Sequence, residues 1–308
     1  MAHCFVTRRL PGDAVERLAH RHSVDVWTER IPPTPEQLRS RACEAEGLLC
    51  LLTDRIDAGL LDGCQRLRAI SNLAVGCDNV DLAAARARGI AVGYTPDVLT
   101  ETTADLAFAL IMAAARRLPE AIRAVHAGEW LTWEPDWLLG HDVHGSTLGI
   151  VGRGRIGEAV ARRADGFGMT VLHSSRSSGV PLPDLLERSD FVSLHVPLTT
   201  ETRHLIGAAE LSAMKPTAFL VNTARGAIVD QAALERALRE NVIAGAALDV
   251  TDPEPLPPSH PLLSAPNLIV LPHVGSATHA TRERMAGLAV DNVLAALAGE
   301  PMPHEFPA

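Results

Sequence analysis

Short apolar runs alternate with amphipathic stretches through the first ninety residues. Cys4-Phe5-Val6, residues 47–52, residues 68–72 and Ile90-Ala91-Val92 have the length and apolar character of strands. Residues 11–20, 34–41, 58–64 and 81–88 carry helical spacing between them. Strands that alternate with helices predict a parallel α/β sheet. One long apolar-faced helix is predicted from residue 100 to 126, opened by Thr102-x-x-Asp105, a pattern suited to satisfying its first amides. Six further strand-like runs follow at 147–151, 169–173, 190–195, 217–222, 244–248 and 267–271, with helices between them. Six strands make a full dinucleotide fold of two βαβαβ halves. The final helix, 281–298, places Met285, Leu288, Ala289, Val293 and Leu297 on one face and is expected to pack back on the first sheet. The predicted organisation is therefore discontinuous: residues 1–98 and 282–308 form one domain, and residues 99–281 are inserted into it.

Composition narrows the class. The 308 residues are 47% hydrophobic and 21% charged, the balance of a soluble globular protein. A net charge of -9 argues against a nucleic-acid partner or an anionic membrane surface, since either needs a basic face. The five cysteines, Cys4, Cys43, Cys50, Cys64 and Cys77, are scattered without a C-x-x-C pair. They read as free thiols in a reducing compartment, with neither a disulfide framework nor a zinc site. His141 and His144 have helical spacing, but no acid or cysteine cluster accompanies them, so no metal is expected. The first residues lack the pattern of a secretion signal, and the longest apolar stretch, 106–115, is about half of what spans a bilayer. The expected location is cytoplasmic.

Chemistry concentrates at the predicted strand ends. Leu148-Gly149-Ile150-Val151 stops at Gly152-Arg153-Gly154-Arg155-Ile156-Gly157 and continues as a helix. A strand, a G-x-G-x-x-G turn and a helix in that order are a dinucleotide-binding fingerprint. Gly152 allows the tight turn, Gly154 leaves room for a pyrophosphate, and Gly157 lets helix and strand pack closely. An NAD enzyme usually places an acid at the end of the next strand. Here that end reads His173-Ser174-Ser175-Arg176, which has no acid and offers hydroxyls and a cation to a 2′-phosphate. NADP(H) is the expected cofactor, with NAD(H) as the alternative.

Arg225, Asp249 and His273 follow three successive strands at equal spacing along the chain, so they should stand on one edge of the sheet. A cation, an acid and an imidazole beside a nicotinamide suit the reduction of a 2-keto acid. Arg225 offers a planar fork for carbonyl and carboxylate. His273 is the natural proton donor, and Glu254 in the Pro-rich loop is the candidate carboxylate to keep it charged. Asp249 has two readings, one beside the nicotinamide and one capping local amides. In the first domain, Leu73-Ala74-Val75-Gly76-Cys77 follows a strand and precedes a helix, so the Val75 and Gly76 amides are candidate donors to a substrate carboxylate.

The motifs Gly152-x-Gly-x-x-Gly157, Asn222-Thr-Ala-Arg225-Gly226, Asp249-Val-x-x-Pro253-Glu254-Pro255 and Pro272-His273-Val-Gly275-Ser276-Ala277-Thr278 resemble those of the D-isomer-specific 2-hydroxyacid dehydrogenases, over nearly the whole chain. Residues 92–100, Arg116-Arg117-Leu118-Pro119-Glu120-Ala121 and the tryptophans Trp130, Trp133 and Trp137 are similar to the glyoxylate/hydroxypyruvate reductases within that family. The resemblance implies a doubly wound Rossmann sheet inserted into a smaller flavodoxin-like α/β substrate domain, with chemistry in the cleft between them. It implies reduction of glyoxylate to glycolate and of hydroxypyruvate to D-glycerate, preferably with NADPH, by a homodimer. It makes Arg225, Glu254 and His273 the catalytic set, puts Asp249 by the nicotinamide and Thr103 in the cofactor cleft. Trp137 would lie near the dimer interface and reach the partner's substrate pocket. Two positions depart from the family pattern: Arg153 replaces an apolar residue, and the segment after the second strand is short. The alternatives are a related dehydrogenase of 3-phosphoglycerate, D-lactate or phosphite, and a nucleotide-sensing binding protein like the co-repressors that share the fold.

Overall fold

The computed structural model describes residues 1–307. The chain divides into two compact units, one made of residues 1–99 with those from 277 onward, the other of Thr100–Ser276. Both are parallel sheets covered by helices, the α/β class expected from the alternating pattern.

In the first unit the elements run β1 (His3–Val6), α1 (Ala14–Ala19), β2 (Ser23–Val26), α2 (Pro35–Glu44), β3 (Gly47–Cys50), α3 (Ala58–Gly63), β4 (Ala69–Asn72), α4 (Leu82–Ala87) and β5 (Ala91–Gly93). The five-stranded sheet has the order β2-β1-β3-β4-β5. Strand β2 was not expected. It is a half-buried edge strand in which Asp25 pairs with Arg41 at 2.9 Å, so it lacks the apolar run that marks the central strands. Helix α2 starts with Thr34 and Gln37 capping each other's backbone amides and Pro35 in its first turn. Asp57 and Asp81 cap α3 and α4 in the same way through single side-chain oxygens.

One cysteine expectation is corrected. Cys43, near the end of α2, and Cys64, just after α3, form a disulfide, while Cys4, Cys50 and Cys77 are free and buried. The pairing depends on α2 and α3 lying side by side, which a spacing of 21 residues does not reveal.

The second unit contains α5 (Thr100–Ala115), α6 (Leu118–His126), β6 (Thr147–Val151), α7 (Arg155–Asp165), β7 (Thr170–Ser174), α8 (Leu182–Arg188), β8 (Phe191–Leu194), α9 (Ala208–Ala213), β9 (Phe219–Asn222), α10 (Gln231–Arg239), β10 (Gly245–Leu248) and β11 (Leu268–Val270). The single long helix expected over 100–126 is two helices. Arg117 takes φ +52° and Pro119 sits in the first turn of α6, where its missing amide costs nothing. Thr102 and Asp105 consequently lie inside α5 rather than at its cap, and Asp105 accepts from Arg163 Nε at 2.8 Å.

The six strands stand in the order β11-β10-β9-β8-β6-β7. Side chains alternate between two cores: Leu148, Ile150, Phe191, Phe219 and Val221 pack with α5 and α7, while Val151, Val192, Leu194, Leu220 and Leu248 pack with α8, α9 and α10. After β7 the chain makes a tight turn, bridged between Ser174 and Gly179, and enters α8 almost at once. It then crosses to the other side of β6 to form β8. Strand order reverses there, so the carboxyl ends of β6 and β8 form the crevice in which such sheets bind ligands.

The last helix, α11 (His279–Ala298), belongs to the first unit and lies on β3, β4 and β5. It buries Met285, Ala286, Ala289, Val290, Val293 and Leu297, and Thr278 caps it by accepting from the Thr281 amide. Among the described residues no helix is long and apolar enough to cross a membrane.

Candidate active site

The glycine turn sits at the switch point. Gly152 has φ +94°, and a Cβ there would lie 2.7 Å from the His195 carbonyl oxygen, so only glycine fits between β6 and β8. A Cβ at Gly157 would meet the Gly152 oxygen at 2.3 Å, whereas one at Gly154 would meet nothing within 4 Å. The first and third glycines therefore serve packing, and the middle one faces open space. No side chain caps α7, whose N-cap is Gly154. An uncapped helix start beside open space fits the phosphates of a dinucleotide.

Arg153 is engaged by the first turn of α7 and by β7. Its Nε donates to Glu158 Oε2 at 2.6 Å and its Nη1 lies 3.2 Å from His173 Nδ1. This pairing holds the Glu158 carboxyl below the usual carboxylate range. At the end of β7, Ser175 Oγ is engaged within its own turn, 2.9 Å from both the carbonyl and the hydroxyl of Ser178. Arg176 approaches Glu201 at 4.0 Å, and both side chains are mostly in solvent, 78% and 71% exposed.

β9, β10 and β11 are adjacent parallel strands, so Arg225, Asp249 and His273 follow the carboxyl ends of three neighbouring strands. Asn222 turns the chain after β9, accepting from the Ala224 amide at 3.0 Å and donating to the Arg225 carbonyl at 2.9 Å. Arg225 is half-buried and its Nη1 donates to the Ala224 carbonyl at 2.8 Å. Next to it Gly226 lies flat against the backbone of Thr251, after β10. Asp249 is buried, and its two carboxylate oxygens each accept an amide at 2.8 Å, from Val274 and from Gly275. Burial raises its carboxyl while those amides oppose the rise. These bonds tie Asp249 to the turn after β11, 25 and 26 residues further along the chain.

His273 donates its amide to the Asp249 carbonyl at 2.9 Å and adopts φ +55°, a left-handed conformation that costs a residue with a Cβ. Its Nδ1 donates to Glu254 Oε1 at 2.7 Å, which leaves Nε2 as the nitrogen for outside partners. Thr103, on α5, is buried close to this turn: its Oγ1 is 3.6 Å from where a Cβ on Gly275 would stand.

Two residues that sequence reasoning did not single out stand at the same edge. His195 follows β8, with Nε2 2.8 Å from Ser193 Oγ, and burial pushes its pKa down to about 4. Thr223 follows β9, and its buried Oγ1 has no hydrogen-bond partner. The signal available was that each directly follows a buried, mostly apolar strand. An orphaned hydroxyl here and open space at Gly154 both fit a ligand laid along this edge.

Val75 and Gly76 occupy the turn between β4 and α4 in the first unit. Trp137 is half-buried in the irregular segment after α6, where Trp130 and Trp133 are exposed. A cavity of about 740 Å³ opens at the opposite edge of the second sheet, lined in part by Arg117, Arg123, His141, Asn241 and Asn267. It lies at the amino ends of the strands, away from the residues above. No group of three or more His, Cys, Asp or Glu side chains suited to a metal occurs among the described residues.

Residues 108–275 match the family model described as D-isomer specific 2-hydroxyacid dehydrogenase, NAD binding domain. The chain belongs to the D-isomer specific 2-hydroxyacid dehydrogenase family. As a member it is an NAD(P)-dependent oxidoreductase acting on CH–OH groups. A family relative named glyoxylate reductase, from Korarchaeum cryptofilum, is 51% identical over 97% of this chain and 94% of its own. A crystal structure from Thermus thermophilus superposes with a TM-score of 0.94 at 49% identity, covering 99% of this chain and all of that one. An NADPH-dependent glyoxylate/hydroxypyruvate reductase from Sinorhizobium meliloti, solved with NADP and malonate, has a TM-score of 0.85 at 33% identity, covering 99% and 96%.

Proposed function

We propose that this dehydrogenase is a cytoplasmic, homodimeric reductase of small 2-keto acids, working on glyoxylate and hydroxypyruvate with NADP(H) preferred over NAD(H). The observation that carries the reading is the 2.7 Å contact of His273 Nδ1 with Glu254, which leaves Nε2 free of that bond for a substrate. The naming of the Korarchaeum relative as a glyoxylate reductase and of the Sinorhizobium structure as a glyoxylate/hydroxypyruvate reductase supports the choice of substrate.

The Gly152–Gly157 turn, the start of α7 and Thr223 would hold the dinucleotide, with Thr103 and the Asp249-capped turn lining its far end. When bound in reduced form, the cofactor supplies the hydride for the substrate's keto carbon. Arg225 holds the substrate's carbonyl and carboxylate oxygens through its planar fork and draws electron density from the carbonyl. His273 Nε2–H donates its proton to the carbonyl oxygen as that oxygen gains charge. Glu254 accepts from Nδ1 and so fixes which nitrogen faces the substrate. Asp249 holds the turn after His273 by accepting the Val274 and Gly275 amides, while Glu254 holds the ring. Val75 and Gly76 contribute amide donors to the substrate carboxylate, and Trp137 shapes the substrate pocket of the partner copy.

The NADP(H) preference is supported by Ser174 and Arg176 and by the lack of an acid after β7. Arg176 is held only by a solvent-screened contact with Glu201, so a 2′-phosphate can draw it away at little cost. The homodimer is supported by α6, where Leu118, Ile122 and Val125 form an exposed stripe at helical spacing, and by exposed Trp130, Leu131, Trp133 and Leu139 after it.

The deciding experiment is the initial rate of NADPH oxidation with glyoxylate and with hydroxypyruvate, repeated with NADH and with pyruvate. Rapid turnover favouring NADPH and the first two acids is expected. NADPH binding without turnover of any keto acid would overturn the proposal in favour of a sensing protein.

A further inference from the structure

We propose that Asn72 and Asn79 are positioning residues that clamp the turn 73–77 from behind, so that the Val75 and Gly76 amides stay presented to a substrate carboxylate. The inference rests on the keto-acid reading above and adds residues to which no role has been given.

Asn72 ends β4 with no solvent exposure at all. An amide side chain buried that deeply must be hydrogen-bonded, and this one is bonded to the turn it precedes. Its Nδ2 donates to the Gly76 carbonyl at 2.9 Å and to Asn79 Oδ1 at 3.0 Å, and its Oδ1 accepts from Asn79 Nδ2 at 3.3 Å. Asn79 passes the restraint on: its Nδ2 donates to the carbonyls of Leu51 at 3.0 Å and Asp54 at 2.9 Å. That second turn, after β3, is itself held by Asp54, whose carboxylate accepts from the Leu51 amide at 2.8 Å and from the Thr7 hydroxyl.

The anchored atoms in 73–77 are carbonyls. Gly76 O is tied to Asn72, and Ala74 O accepts the Thr95 amide at 2.9 Å. In a trans peptide the N–H points opposite to the C=O, so anchoring Ala74 O behind the turn directs the Val75 N–H to its front. The Val75 and Gly76 amides have no acceptor among the described residues. A turn with carbonyls held at its back and amides left unpaired is an anion receptor that cannot hold its own shape. The two asparagines supply the anchor at Gly76, at the far end of the turn from the Thr95 amide that holds Ala74, and so fix where the Val75–Gly76 segment can lie.

The test uses the full-length enzyme. Asn79→Ala, with Asn79→Ser as the milder change, should raise the KM for glyoxylate and the Ki for oxalate at least ~10-fold, with kcat changed less than ~3-fold. Glycolaldehyde, which has the carbonyl without the carboxylate, should show the same kcat/KM in variant and parent, and NADPH binding should not change. An equal loss with both substrates, or an unaltered KM in a folded variant, would overturn the clamp. Should neither variant fold, hydrogen exchange of the parent decides: oxalate should slow exchange at Val75 and Gly76, and exchange there that ignores oxalate overturns the proposal. Oxalate binding is read without turnover. A parent that binds oxalate at these amides yet reduces no keto acid would therefore defeat the proposed function and leave the clamp standing.

Discussion

Gly226 lies against Thr251 so closely that a Cβ on Gly226 would stand 2.0 Å from the Thr251 carbonyl carbon. This backbone contact joins the turn that carries Arg225 to the loop that carries Glu254. Gly226→Ala must push the two apart, and we expect a loss of about 1–3 kcal/mol in stability together with a fall in kcat. Thermal unfolding and steady-state kinetics on the same preparation check both, and an alanine variant with parental melting temperature and kcat would mean that the contact yields freely.

His273→Ala removes the proton donor and should lower turnover at least ~100-fold while NADPH binding, followed by fluorescence, stays within about twofold. Glu254→Gln leaves only a neutral amide oxygen to accept from Nδ1, in place of a charged carboxylate, so kcat should fall at least ~10-fold with NADPH binding unchanged. A glutamine variant with parental kcat would show that turnover does not depend on the His273–Glu254 pair.

Arg176→Ala should reduce kcat/KM for NADPH by about tenfold, roughly the 1.4 kcal/mol of one charge-assisted contact, and leave kcat/KM for NADH within about twofold. Equal losses with both cofactors would show that Arg176 does not read the 2′-phosphate.

His195 makes stability depend on pH. Its pKa falls from 6.5 to about 4 in the folded protein, so between those values the unfolded chain binds a proton that the native one refuses. Stability from this group is complete above pH 6.5 and is lost as pH falls to about 4, by at most roughly 3 kcal/mol. Melting temperatures measured across that window should fall less steeply for His195→Gln, and parallel curves for the two proteins would remove His195 as the cause.

Ile122→Glu places a charge in the middle of the exposed stripe on α6. If that stripe is where two copies meet, sedimentation should show the variant as a monomer at concentrations where the parent is a dimer. A parent that is already monomeric, or a variant that remains dimeric, would move the contact elsewhere.

Much of this protein could be read along the chain because its decisive patterns are local. The strand, turn and helix around Gly152 are set by residues within a dozen positions, as is the order of apolar runs that makes both sheets parallel. The strand-end placement of Arg225, Asp249 and His273 follows from the regular length of a strand-helix unit. What the tertiary structure alone decided depends on contacts between distant segments. The Cys43–Cys64 disulfide needs α2 beside α3, and the edge strand β2 is recruited by β1 despite its polar sequence. Asp249 is fixed by amides 25 and 26 residues away, and Arg153 reaches His173 on the next strand. The unpaired Thr223 hydroxyl and the Asn72–Asn79 clamp exist only once the sheets are packed, because a buried polar group acquires or lacks partners according to what the fold brings to it. Side-chain chemistry and periodicity are properties of the sequence, whereas burial and hydrogen-bond geometry are properties of the assembled core, and it is the latter that set how an active-site residue is held.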